Sequence, residues 1–151
     1  MKRAQRLTMV QQAVEDLERR RAETLAASER KVNECETRLN ELETYQANYC
    51  REFAQRASHG IGAVGLRDYQ AFLARLAEAV RQQNHIVFMS RAERDAERQN
   101  WQSAAQRAEA VSRIVKRWQI EDERTLERHE QRESDERAQH ISSFGLQARG
   151  I

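Results

Sequence analysis

The sequence predicts an all-α protein, two long helices folded into an antiparallel coiled-coil hairpin whose second helix is longer than its first. Three observations carry this. The 151 residues contain no proline and only 5 glycines, three of them within Gly60-Ile61-Gly62-Ala63-Val64-Gly65, so two long stretches lack any helix breaker. Apolar residues recur in both stretches at alternating spacings of 3 and 4, the narrow stripe of a coiled coil. Finally, 39% hydrophobic against 33% charged residues, with a mean hydropathy of −0.94, leave too little apolar surface for a thick globular core.

The first helix is expected over about residues 3–58. Its seam runs through Leu7, Val10, Val14, Leu17, Leu25, Val32, Cys35, Leu39, Leu42, Tyr49 and Phe53. A turn over about 59–66 follows, with Gly60 free to take the left-handed conformation that ends a helix. The second helix, about 67–140, starts with Asp68 near its positive N-terminal end. It carries the seam Leu73, Leu76, Val80, Val87, Trp101, Ala104, Ala108, Val111, Val115 and Trp118, interrupted by Ser90, Arg94 and Glu97. Paired residue numbers should total about 125, which sets Trp118 level with Leu7. Polar residues in mid-seam forgo the roughly 1.5–3 kcal/mol of a large buried aliphatic side chain, so the waist is expected to be the soft part of the hairpin. Beyond about residue 120 nothing remains to pair with. Glu121 to His140 reads as a solvated extension, and 142–151 as a disordered tail to a single domain spanning 1–141.

Composition excludes several functions. With 26 basic and 24 acidic residues, the net charge of +2 gives no bulk attraction to nucleic acid or anionic lipid. The basic cluster of Lys2, Arg3, Arg6 and Arg19-Arg20-Arg21 is interrupted by Glu15, Asp16, Glu18 and Glu23, so no nucleic-acid partner is expected. Cys35 and Cys50 lie about 22 Å apart along one helix, too far for a disulfide, and a reducing compartment fits. No apolar run approaches the roughly 18 residues of a membrane span. Gly60, Gly62 and Gly65 have the spacing of a dinucleotide loop, yet no strand delivers them to a helix. His59, His85, His129 and His140 lack metal-site spacing, and a helical hairpin offers no pocket to shelter a reaction. No cofactor, metal or catalytic residue is expected.

Near the turn the seam leaves apolar surface uncovered. Tyr45, Tyr49 and Phe53 run down helix 1; Tyr69, Phe72, Leu76, Ala79 and Ile86 run down helix 2. An aromatic and aliphatic strip on a charged helix pair is the footprint of a partner.

The stretches Leu42-Glu43-Thr44-Tyr45-Gln46-Ala47-Asn48-Tyr49 and Tyr69-Gln70-Ala71-Phe72-Leu73-Ala74-Arg75-Leu76-Ala77-Glu78-Ala79-Val80, with the glycine turn between them, resemble the flagellar export protein FliJ family of the type III secretion apparatus. The paired Tyr-Gln elements cover about residues 39–84. The resemblance implies a central stalk that inserts into the hexameric export ATPase FliI and contacts the membrane export gate protein FlhA and export chaperones. It places the protein in the cytoplasm, peripheral to the inner face of the bacterial membrane through its partners. Gate binding in the family matches Phe72, Leu76 and Ala79 here, with Gln83 where a histidine is frequent. Leu42, Tyr45, Tyr49 and Tyr69 match positions that serve either seam or partner. The alternative readings are an injectisome stalk protein or a generic coiled-coil scaffold that self-associates through the same strip.

Overall fold

The computed structural model describes residues 3–150, and Met1, Lys2 and Ile151, the last residue of the expected tail, lie outside the described residues. Helix α1 spans Arg3–Ser58 and helix α2 spans Ala63–Arg149, joined by a four-residue turn and packed as an antiparallel hairpin. Helix α1 ends where Gly60 takes φ +93°, a conformation that costs glycine little and other residues much. The Gly60 N–H donates to Ala57 O at 3.3 Å. Helix α2 starts earlier than expected because the Leu66 N–H reaches back to Gly62 O at 3.0 Å. Ala63, Val64 and Gly65 are thereby recruited into the first turn. Asp68 consequently stands beyond that turn, which has no acidic residue to meet the positive helix end.

Contacts across the seam give the register. The contacting pairs Phe53–Tyr69, Tyr49–Phe72 and Trp101–Glu18 have residue numbers totalling 122, 121 and 119, against the 125 expected. The longer side chains that flank the seam pair as Lys31–Glu93, Arg91–Glu36 and Arg98–Glu29, totalling 124, 127 and 127, so the contacts bracket the expected value.

Contacts divide the chain into two units. In the unit Asp16–Ala105, the seam buries Val32, Leu76, Val87 and Ala104, with Val32 and Val87 only 3% exposed. Ser90 is equally deep and Ser28 is buried too, each donating its hydroxyl to a carbonyl of its own helix, Val87 O at 2.9 Å and Leu25 O at 2.7 Å. A small hydroxyl satisfied this way needs no water and lets the helix backbones approach. The waist is therefore tightly sealed at Ser28, Val32, Val87 and Ser90. Its polar weakness narrows to Glu97, whose Oε2 is shut from solvent without a hydrogen-bond partner, a cost of about 1–3 kcal/mol. Flanking the seam, Lys31–Glu93 (3.0 Å), Arg91–Glu36 (2.8 Å) and Arg98–Glu29 (3.7 Å) bridge the helices. Such exposed pairs contribute at most about 1 kcal/mol each; their use is to disfavour other registers.

In the unit Met1–Glu15 with Gln106–Ile151, Val115 is buried, and the Arg3 guanidinium lies 3.7 Å above the Trp118 ring, a cation–π contact worth about 0.5–2 kcal/mol. From Glu121 on, every described residue is exposed. The seam positions of α2 continue there as Asp122, Thr125, His129, Arg132, Glu136 and Gln139, all polar. Residues 142–149 continue the helix instead of forming a tail. No proline breaks it, and local contacts such as His140 against Phe144 (5.5 Å) and Ser143 Oγ to His140 O (2.9 Å) stay within it. Truncation after Ile120 is expected to remove only the helical signal of the deleted residues, leaving the melting temperature within about 2 °C. Circular dichroism of the two lengths checks this.

Candidate partner-binding site

Helical spacing alone builds an aromatic cluster beside the turn. Tyr45, Tyr49 and Phe53 recur every 4 residues on α1, and Tyr69, Phe72 and Leu76 at intervals of 3 and 4 on α2, so the two rows meet across the seam. Ring centroids lie 4.3 Å apart for Tyr49–Phe72 and 5.1 Å for both Tyr49–Tyr69 and Phe53–Tyr69. Tyr45 joins from the edge, 6.2 Å from both Tyr49 and Phe72. Tilted and edge-on pairs of this kind add about 0.5–1.5 kcal/mol each beyond the area they bury. The Arg56 guanidinium sits 5.7 Å over Tyr69 and caps the turn side.

Within the cluster the roles divide by depth. Tyr69 and Leu76 are buried between the helices; Leu42, Tyr49, Phe53, Phe72 and Ala79 are half-buried. Tyr45 is 52% exposed and Ile86 45%. Phe72, Ala79 and Ile86 thus flank the seam and face outward in part, as their spacing predicts. Leu76 does not belong to that open face.

Gln83 differs most from expectation. It is 5% exposed, and its Nε2–H donates to Cys35 O on α1 at 3.0 Å. Gln83 stands seven residues from both Leu76 and Ser90, so the heptad itself turns it into the seam, and there its amide is consumed inside the hairpin. Of the four residues matched to gate binding, the structure leaves Phe72 and Ala79 reachable and uses Leu76 and Gln83 to hold them.

Two neighbouring apolar residues of α2 lie outside the seam and the aromatic strip. Phe88 is 68% and Met89 54% exposed on the outer side of α2. A search for the stripe that closes the hairpin passes over both, since they lie on the far side of the helix. Projecting α2 for a second stripe would have found them.

Burial among the rings pushes the Tyr49 phenol above its ordinary value near 10, with Tyr69 and Tyr45 adding to the rise, Arg56 opposing it and Glu52 adding a little. Since folding raises this group, the stability it carries is intact below pH 10 and is lost as pH climbs through the folded value. The melting temperature should therefore fall more steeply above pH 10 in the native chain than in Tyr49→Phe, as read in thermal melts across pH 9–11.5. Lys31, raised by its hydrogen bond and attraction to Glu93, titrates in both chains and cancels in the comparison.

The site is built of apolar side chains. Its members are rings and aliphatic groups on an open flank, and among the described residues no three His, Cys, Asp or Glu converge to hold a metal ion. A family model described as "Flagellar FliJ protein" matches residues 1–143 of the chain. Neither a curated protein nor a solved structure matches it significantly.

Proposed function

This chain belongs to the flagellar FliJ protein family, and we propose that within the flagellar export apparatus it is a non-catalytic stalk that couples the export ATPase to the export gate. The observation that carries the reading is the half-open aromatic flank beside the turn. Phe72 and Ala79 offer the contact, Tyr45 and Ile86 widen it, and Tyr69, Leu76 and Gln83 stiffen it from inside. Rigid aromatic rings already ordered by packing lose little entropy on binding, which suits them as anchors.

On this reading the flank meets the cytosolic part of the gate protein FlhA, while the hexameric ATPase FliI and export chaperones take other surfaces. Attachment at the inner face of the membrane follows from those partners. No helix among the described residues is long and apolar enough to cross a membrane.

Sedimentation of the purified chain, alone and mixed with the hexameric export ATPase, tests the stalk. A chain that sediments as a monomer and shifts to the mass of the hexamer supports it. A stable dimer that ignores the ATPase and hides Phe72 would establish a self-associating scaffold instead.

A further inference from the structure

The outer side of α2, opposite the seam, carries a second heptad. His85, Met89, Ala92, Ala96, Gln99 and Ser103 follow one another at spacings of 4, 3, 4, 3 and 4, all are exposed, and none carries a carboxylate, ammonium or guanidinium group. In a chain one-third charged, a run of six such positions on a solvated face marks surface that can be desolvated cheaply. Its edges are ordered too. One edge reads Ile86, Glu93, Asn100 and the other Phe88, Asp95, Gln102, so each runs from an apolar residue through an acid to an amide. The seam explains none of this, because Val87, Ser90 and Glu97 take the inward positions at the same level.

We infer that this face is a docking site for an amphipathic α-helix of another protein, one with an apolar heptad stripe and basic residues along both flanks. A helix laid along α2 suits a strip one helix wide, since it stays in step with positions repeating every 3.5 residues. Small side chains at Ala92, Ala96 and Ser103 allow its backbone close, while Phe88 and Met89, 68% and 54% exposed, supply anchors at one end. Charge selects the flanks. Glu93 and Asp95 stand on opposite edges at the middle of the stripe, where lysine or arginine of the incoming helix would meet both. Their present partners, Lys31 at 3.0 Å and Arg94 at 3.1 Å, are held only by exposed pairs that a partner can displace or share.

A second copy of this chain fits poorly. An antiparallel copy that set Ala92 against Ala96 would bring Glu93 to Glu93 and Asp95 to Asp95; a parallel one would lay Phe88 against Glu93. Anionic membrane is disfavoured by the same two acids. The face is separate from the strip assigned to the gate, although Ile86 borders both.

The full chain is titrated with two synthetic 28-residue helical peptides, both with alanine and leucine at the heptad positions, one flanked by lysine and the other by glutamate. The lysine peptide is expected to bind at least about tenfold more tightly and to weaken as salt is raised. Ala92→Arg with Ala96→Arg should abolish that binding, and Glu93→Gln with Asp95→Asn should bring it down to the level of the glutamate peptide. The helical signal of both variants should not change, because all four residues are exposed. Equal affinity for the two peptides, or unaltered binding after the arginine substitutions, would overturn the proposal. So would a dimer of the native chain that those substitutions dissociate, or equal capture by phosphatidylglycerol vesicles.

Discussion

Leu76→Ala is expected to lower the unfolding free energy by about 2–3 kcal/mol, seen as an earlier midpoint in urea at unchanged slope. Leu76 is 7% exposed, and a two-helix seam has no third layer from which a neighbour could move in to fill the void. The loss stays at the low end of buried leucine truncations because a thin core admits water at the damaged place. Any loss of partner binding in this variant would follow from a loosened hairpin. Stability within about 0.5 kcal/mol of the native chain would place the Leu76 side chain outside the seam and restore it to the contact surface.

Phe72→Ala is expected to do the reverse, reducing affinity for the cytosolic part of the export gate by about thirtyfold or more, or roughly 2 kcal/mol. Its stability cost should be near 1 kcal/mol, since the ring is half-buried and only part of its area returns to water. The lost contacts to Tyr45 at 6.2 Å and Tyr49 at 4.3 Å account for most of that cost. Tyr45→Ala, at a residue 52% exposed, should weaken binding with a smaller effect on melting still. Calorimetric titration alongside thermal melts separates the two quantities. Affinity within twofold of native in the Phe72 variant would remove the flank from the gate interface and leave it as packing.

The two helices and most of the seam were legible from the chain, because missing breakers and a 3–4 repeat are one-dimensional signals. Val32, Val87, Ala104 and Val115 are buried where the repeat put them. The turn was less so. Whether Ala63, Val64 and Gly65 belong to a loop or a helix depends on one bond, Leu66 N–H to Gly62 O, that propensity does not decide. Gln83 is inward by the same repeat, seven residues from Leu76 and from Ser90, yet its partner is Cys35 O, a backbone carbonyl that no side-chain pattern reveals. Phe88 and Met89 stayed hidden because their stripe is weak in hydropathy and is distinguished by the charges it lacks.

The aromatic cluster also bears on how the chain folds. Phe53 and Tyr69 are 16 residues apart in sequence, whereas Trp101 and Glu18 are 83 apart. Ring contacts next to the turn therefore close the shortest loop at the least entropic cost, and each later pair adds to a chain already tethered. The hairpin is expected to zip from Gly60 outward, with the aromatic residues beside the turn serving as its nucleus. A chain emerging from a ribosome cannot begin until α2 has started to appear, after which pairing needs no distant search.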